Sequence, residues 1–221
     1  MKSKYLIYSA LSLLLLFVTE SAVNAQDSGS SAADKFVSFL KSSPAFEMNF
    51  SFLMKDAASG KSEGVDCNIK VMGSSYFMKN DNVEVYCDGS SRWILNEGSG
   101  EVTILKNSSS VADISENPIG YIASLRSNYN AAKKVKYSTV AGKKRIAVTL
   151  NLKSGVRSPY NKIVLTLLDG TGQPLSADFF TASGNSYKIA DIEYIKRDSF
   201  SPSIFKPSQA RLKGLYINDL R

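Results

Sequence analysis

The stretch Tyr86–Ile104, Y-C-D-G-S-S-R-W-I-L-N-E-G-S-G-E-V-T-I, contains three short strand patterns separated by two turns. Asp88-Gly89-Ser90-Ser91 has the composition of a turn, because Asp hydrogen-bonds its own backbone and Gly accepts a positive φ. Glu97-Gly98-Ser99-Gly100 is the second turn. The apolar residues that alternate with polar ones around these turns are Trp93, Leu95, Val102 and Ile104. The pattern predicts antiparallel strands with one buried face.

Most of the remaining chain also has strand patterns, and two segments have helical ones. In the first strand five large apolar residues recur at every second position, at Phe46, Met48, Phe50, Phe52 and Met54. The further predicted strands are Val65–Met72, Ser75–Lys79, Val83–Asp88, Lys134–Ser138, Arg145–Leu152, Lys162–Leu168, Leu175–Thr181, Tyr187–Ile195 and Leu215–Leu220. The predicted helices span Ser31–Ser42 and the segment from Asn117-Pro118 through Arg126. This order predicts a mainly β domain, with a single curved antiparallel sheet, or half-barrel, and a few helices over its concave face.

The first 25 residues have the pattern of a signal peptide. Lys2 and Lys4 precede an apolar run, Tyr5–Val18, and Ala25 is a small residue suited to cleavage before Gln26. The apolar run is shorter than the roughly 20 residues that a membrane-spanning helix needs. We therefore expect an exported protein whose mature domain covers residues 26–221, with an uncleaved membrane anchor as the alternative.

The two cysteines, Cys67 and Cys87, invite a disulfide prediction in an exported protein. In a simple meander, however, they lie on the first and third of three strands. Two strand spacings amount to about 9.6 Å, beyond the roughly 7 Å limit between the Cα atoms of bridged cysteines. We therefore expect two buried free thiols.

Charge is distributed unevenly along the chain. Residues 26–105 contain 7 Lys+Arg and 11 Asp+Glu, whereas residues 106–221 contain 18 and 8. Three interpretations of the basic half are solvated strand edges, a docking surface for an acidic partner or anionic lipid, and a nucleic-acid site. Lysine commonly protects exposed strand edges, which favours the first interpretation, and export argues against nucleic acid.

The residues available for catalysis are few. The absence of histidine excludes Ser-His-Asp and Cys-His arrangements and removes the commonest zinc ligand. The carboxylates of Asp88, Glu97 and Glu101 are close in sequence, but each is explained by a turn or hairpin. We therefore expect no enzyme, no cofactor and no metal site.

The remaining candidate for function is apolar surface. All four methionines of the predicted mature chain, Met48, Met54, Met72 and Met78, lie in the first three predicted strands. Methionine is flexible and polarizable, which suits a surface that accepts varied apolar ligands. Periodicity alone does not distinguish such a pocket from an ordinary packed core.

The order of these features resembles the LolA-like periplasmic outer-membrane lipoprotein carrier family. The residues that carry the resemblance are the opening helix, the Phe-rich first strand, Asp88-Gly89 with Trp93, Glu101-Val102, Asn117-Pro118, Gly184-Asn185, Phe205 and Asp219-Leu220-Arg221. The resemblance implies a non-enzymatic monomeric carrier that holds lipoprotein acyl chains or another lipid in an apolar half-barrel. It also implies an inner-membrane donor and an outer-membrane acceptor.

Combined with strand periodicity, the resemblance predicts the residues of the site. The expected lipid-binding pocket comprises Phe50, Phe52, Met54, Ile69, Met78, Val85, Trp93, Ile104 and Val148. The expected lid helix presents Ile119, Ile122 and Leu125 to the sheet. Carriers of this kind close their lid with the Arg of an Arg-Pro pair, but the matching position here reads Val71-Met72-Gly73, and Arg92 and Arg126 are the two candidate substitutes. The alternative function is a non-carrier envelope protein that uses the same fold to sense or bind a protein partner.

Overall fold

The computed structural model describes residues 28–107 and 118–221, so the predicted signal peptide lies outside the described residues. The helices are α1 (Gly29–Lys41), α2 (Pro118–Asn128) and α3 (Gln209–Leu212), with a 3-10 turn at Pro202–Phe205. The strands are β1 (Ala45–Lys55), β2 (Ser62–Met72), β3 (Ser75–Lys79), β4 (Val83–Cys87), β5 (Ser91–Asn96), β6 (Glu101–Lys106), β7 (Tyr129–Ala131), β8 (Lys136–Val140), β9 (Lys143–Leu152), β10 (Tyr160–Leu168), β11 (Pro174–Thr181), β12 (Ser186–Arg197) and β13 (Tyr216–Asp219).

All thirteen described strands belong to one curved sheet that does not close into a barrel. Their order is β13-β6-β5-β4-β3-β2-β1-β12-β11-β10-β9-β7, and β8 pairs with β9 beside β7. The predicted mainly β fold is confirmed. The expectation of a purely antiparallel sheet is wrong at one edge, because β13 pairs parallel to β6. Parallel pairing requires a crossover rather than a tight hairpin, and β13 follows the long connection from β12.

Helix α1 begins where its sequence offers a cap. The Ser28 hydroxyl accepts a hydrogen bond from the Ser31 backbone N–H (3.2 Å), so the helix starts at Gly29, two residues before the predicted start. A Cβ atom on Gly172, whose φ is +76°, would lie 2.5 Å from the Lys35 carbonyl oxygen. The turn between β10 and β11 therefore approaches the backbone of α1 at a distance that requires glycine.

The sheet has two faces, and α1 and α2 pack on the same one, which we call the helix face. Under these helices lies the first cluster, formed by buried residues of α1, α2, β7 and β9–β11. Its central members are Phe36, Tyr121, Leu125, Val148, Leu150, Ile163, Leu165 and Phe179. Burial of such large apolar side chains is the main force that holds the helices to this half of the sheet.

The second cluster occupies the same face of β1–β4. Its buried members are Phe46, Phe50, Cys67, Ile69, Val71, Tyr76, Val85 and Cys87. A register shift opposite Asn49–Ser51, where Asp191 has a φ of +52°, changes the phase of β12. Because of this bulge, Ile189 and Tyr194 both pack against the second cluster although their spacing is odd.

The opposite face is covered at the other end of the sheet. There the third cluster, Trp93, Leu95, Val102 and Ile104, packs against Leu212 and Leu215. These two leucines belong to the C-terminal segment, residues 200–215, which contains the 3-10 turn and α3. The ammonium group of Lys206 lies 5.7 Å from the centre of the Trp93 ring.

Candidate functional site

Six of the nine predicted pocket residues share the helix face of β1–β4. Residues that are direct partners in neighbouring strands point to the same face, and those adjacent along a strand point to opposite faces. Phe50 is paired with Cys67, Ile69 with Met78, and Met78 with Val85. Phe52 and Met54 are in phase with Phe50 along β1. Their shared orientation agrees with the prediction, whereas their lipid-binding role stays a prediction.

Trp93 and Ile104 point away from this set, so their predicted place among the pocket residues is wrong. The residue of β5 that pairs with Val85 is Ile94, which places Trp93 on the opposite face. Ile104 pairs with Trp93 and shares its orientation. Both side chains are buried, at 5% and 7% exposure, beneath the C-terminal segment. Both residues are buried because the C-terminal segment covers the face opposite the helices. The sequence pattern did not predict a cover on that face.

Val148 and the predicted lid helix lie on the helix face, but in the first cluster. Val148 is fully buried, Leu125 is buried, and Ile122 is half-buried against the same cluster. The side chain of Ile119 lies outside the described residues. Helix α2 therefore packs beside Val148 and contributes no described residue to the second cluster, where most predicted pocket residues lie.

A small cavity of about 170 Å³ lies between α1, α2 and the sheet. Phe36, Leu125 and Leu165 form part of its apolar wall. Binding sites for small molecules usually have volumes of about 300–1,000 Å³. This half of the helix face is therefore largely filled by packed side chains, with space for only a fragment of an acyl chain.

Beyond the last turn of α1, the helix face of β1–β5 carries large apolar side chains that are only partly buried. We call this set the open apolar face: Met48, Phe52, Met54, Val65, Met78, Val83 and Ile94. Among the described helices, α1 reaches the second cluster through Leu40, whereas α2 and α3 contribute no residue to it. Tyr187 joins the two halves, since its ring contacts those of Phe52 (5.9 Å between centroids) and Tyr160 (5.7 Å).

The opposite face of β1 and β2 is polar. The Asn68 amide donates hydrogen bonds to Glu47 (2.9 Å) and Asn49 (2.7 Å), and the Asn49 amide donates to Glu193 (2.9 Å). A shallow groove of about 460 Å³ on this side is lined by amides and carboxylates, among them Asp66 and Asp81. An acyl chain in this groove would desolvate these carboxylates, which is costly.

The carboxylates that were weighed as catalytic candidates do not converge. Asp88 accepts hydrogen bonds from the backbone N–H groups of Ser90 and Ser91 and shapes the turn after β4. Glu97 and Glu101 flank the turn at the other end of β5, and Glu97 pairs with Arg211. Within residues 28–107 and 118–221, no group of three or more His, Cys, Asp or Glu side chains is arranged to hold a metal ion.

An ionic cluster under the C-terminal segment was not anticipated from the sequence. Glu84 is buried and receives hydrogen bonds from Arg211 (2.8 Å), Lys79 (3.0 Å) and the Tyr86 hydroxyl (2.8 Å). Burial alone would raise the pKa of Glu84, but the three donors outweigh it and lower the pKa to about 2. Arg211 lies 127 positions from Glu84, so no local pattern could have identified this pair. The cluster anchors α3 to β3 and β4.

Both cysteines are buried free thiols, as predicted. Burial, followed by the nearby carboxylates of Asp66 and Asp81, raises the pKa of Cys67 to about 11. Burial also raises the pKa of Cys87. Neither thiol is activated at neutral pH.

The two candidate latch arginines occupy different places. Arg126, on α2, binds Asp34 of α1 (2.7 Å) and the Ser30 carbonyl (3.2 Å), so it connects the two helices. Arg92 is buried on the helix face of β5, where it is the partner of Cys87. Arg126 is thus the candidate whose contacts join two covering elements in the manner of a latch.

In the described part of the chain, no helix combines the length and apolar character needed to cross a membrane.

No protein-family model and no curated protein sequence matches the chain. Similar solved structures include an uncharacterized conserved protein from Thermus thermophilus, at 7% identity and a TM-score of 0.54, covering 86% of this chain and 98% of that one. A DUF1329 family protein from Desulfovibrio piger has 13% identity and a TM-score of 0.48, covering 85% and 100%. A LolA superfamily protein from Nitrosomonas europaea has 12% identity and a TM-score of 0.43, covering 82% and 98%. The similarity to the Thermus thermophilus structure supports the fold alone, and the LolA-like family resemblance stays a prediction.

Proposed function

We propose that this protein is an exported periplasmic carrier that binds lipoprotein acyl chains, or another lipid, on the open apolar face for transfer toward the outer membrane. The observation that supports the proposal is the asymmetry of β1 and β2. These strands expose aromatic and methionine side chains on the helix face and carry amides and carboxylates on the opposite face. Each buried CH₂ group contributes roughly 0.8 kcal/mol, so a short acyl segment suffices for binding.

Two adjacent residues of β1 provide a matched test. Met54 is 37% exposed on the helix face, and Leu53 is 41% exposed on the opposite face. We expect Met54→Asp to weaken binding of a neutral apolar dye such as Nile red by about tenfold, because it places a charge in the apolar contact. Leu53→Asp introduces the same charge at the neighbouring position of β1, but on the opposite face. It should leave the affinity for the dye unchanged.

Thermal unfolding of both variants checks that they remain folded, and mass spectrometry of lipid that co-purifies with the wild-type protein identifies the ligand. Equal dye affinities in the two variants, together with the absence of co-purifying lipid, would refute the carrier proposal.

The alternative function, binding of a protein partner, is favoured by a separate observation. The helix face above β9–β11 is filled by packed helices, and both edges of the sheet expose strands. All five residues of β8 are exposed, and β13 exposes Tyr216 (72%) and Ile217 (51%). An exposed edge can accept an added strand from a partner. If cross-linking in cells traps a protein at β8 or β13 while no lipid co-purifies, this second function replaces the first.

A further inference from the structure

The part of the chain that forms the β8–β9 edge of the sheet contains no acidic residue. Residues 117–168 include ten Lys+Arg and no Asp or Glu. Five of these basic residues, Lys133, Lys134, Lys136, Lys143 and Lys144, are exposed in and just before the β8–β9 hairpin. We call residues 133–144 the basic hairpin.

The side chains of these five lysines differ from the other basic side chains of the acid-free part. Elsewhere in the acid-free part, Arg126 pairs with Asp34, Lys153 donates to the carbonyls at the end of α2, and Lys162 lies over the Phe180 ring. The lysines of the basic hairpin form no ion pair with any residue of the described ranges. Their charge is therefore available to an external partner.

The tip of the hairpin is apolar, although its backbone favours a different residue. Val140 is 46% exposed and Ala141 has a φ of +49°, followed by Gly142 at +73°. Two positive φ angles in a two-residue hairpin turn favour Asn-Gly or Asp-Gly, and an alanine there costs conformational energy. Ala141 thus adopts a strained backbone conformation, and the tip carries an apolar side chain at the position where Asn or Asp would be favoured. Tyr137, 46% exposed, adds an aromatic ring on the strand that leads to it.

We propose that the basic hairpin docks the protein on an anionic phospholipid bilayer, with the lysines at the headgroup phosphates and Val140-Ala141 at the acyl boundary. A bilayer offers negative charge and an apolar layer at successive depths, which matches the lysines and the apolar tip together. An acidic protein surface would match the lysines alone. The proposal depends only on the hairpin and holds whether or not the open apolar face binds lipid.

Co-sedimentation with vesicles tests the proposal. Binding to phosphatidylcholine vesicles that contain phosphatidylglycerol, in a ratio of roughly three to one, should exceed binding to pure phosphatidylcholine and should fall steeply with added salt. Each lysine near such a surface contributes about fivefold in partitioning. The triple variant K136E/K143E/K144E should therefore bind at least about a hundredfold more weakly.

The matched control is K55E/K61E/K213E, which makes the same charge change at exposed lysines outside the hairpin. It should retain most of the vesicle binding. Val140→Ser should reduce the binding that persists at high salt, because that component depends on the apolar tip.

Equal losses in the two triple variants would show that net charge alone acts and would overturn the proposal. Absence of vesicle binding, with hairpin-dependent binding to an acidic protein instead, would overturn it in favour of a protein receptor. Nile red affinity of the hairpin variants, expected to be unchanged, separates this outcome from a failure of the carrier function.

Discussion

The two ends of the sheet are covered on opposite faces. Over β9–β11, α1 and α2 pack on the helix face and bury the first cluster. Over β5 and β6, the C-terminal segment packs on the opposite face and buries the third cluster. Between them, β1–β4 carry the second cluster, and the open apolar face extends from β1 to β5. The apolar surface available to a ligand therefore lies on the strands between the two covers, where the helix face is no longer covered by α1 and α2.

The two covers also differ in how they are attached. Helices α1 and α2 are held by large apolar contacts, and the ion pair that joins them, Arg126–Asp34, is half-exposed on both sides. The C-terminal segment adds to its apolar contacts an ion pair between the buried carboxylate of Glu84 and Arg211, whose side chain is 33% exposed. A buried carboxylate that loses its partner is strongly destabilising, whereas an exposed pair contributes little. We therefore expect the loss of one ion-pair residue to destabilise the protein more in the C-terminal segment than in the helices.

The largest expected effects on stability come from truncating one buried phenylalanine in each cover. Phe36 of α1 is 6% exposed and Phe205 of the C-terminal segment is 2% exposed. We expect Phe36→Ala and Phe205→Ala each to lower the free energy of unfolding by about 3–5 kcal/mol, because each removes a large buried side chain and leaves a cavity. Urea unfolding of the two variants provides the measurement. A loss below about 1 kcal/mol for Phe205→Ala alone would show that the C-terminal segment is dispensable and that the comparison between the covers fails.

A smaller effect, with a distinctive pH dependence, is expected from the ion pair between Arg211 and Glu84. Arg211→Ala should lower the free energy of unfolding by about 3 kcal/mol at pH 7. The pKa of Glu84 is about 2 in the folded protein, against an ordinary value of 4.5. A lowered folded-state pKa stabilises above the ordinary value, and that contribution is lost as the pH falls from 4.5 towards 2.

The difference between wild type and Arg211→Ala should therefore shrink as the pH is lowered through this range. The control is Lys79→Ala, which removes a donor whose side chain is 53% exposed and should cost about 1 kcal/mol or less. A wild-type-to-variant difference that stays constant between pH 7 and pH 3 would mean that Arg211 acts through packing and not through the charge of Glu84.

Much of the fold could be predicted from the sequence because the strands alternate clearly and glycine marks their turns. Ser75–Lys79 was predicted with its observed bounds, and most other strands within about two residues. The elements that were missed are short: β7, the 3-10 turn and α3. Their formation depends on tertiary partners, as when Arg211 of α3 binds Glu84, which is 127 positions away.

The candidate site was harder to predict, since alternation shows that a strand has two faces but not which face another element covers. In β5, Trp93, Ile94 and Leu95 form a continuous apolar run, so either phase satisfies the pattern. The structure pairs Ile94 with Val85 and leaves Trp93 to the C-terminal segment. The Asp191 bulge in β12 also changes the phase of that strand, from Tyr187 and Ile189 to Ile192 and Tyr194.

The smallest expected effect concerns Arg126, the candidate latch of the helix cover. Its guanidinium joins α2 to Asp34 and to the Ser30 carbonyl of α1, but both charged side chains are about half exposed. Arg126→Met, which retains the apolar stem, should lower the free energy of unfolding by at most about 1 kcal/mol, and the loss should diminish in high salt. Asp34→Asn is the matched variant, because it removes the same pair from the other helix. If Arg126 is a latch rather than a surface pair, both variants should also increase deuterium exchange in α1 and α2 by more than this small loss of global stability explains, whereas exchange in the C-terminal segment should not change. If the variants change deuterium exchange equally in both covers, Arg126 is an ordinary surface ion pair. The helices would then be held by their packing against the first cluster.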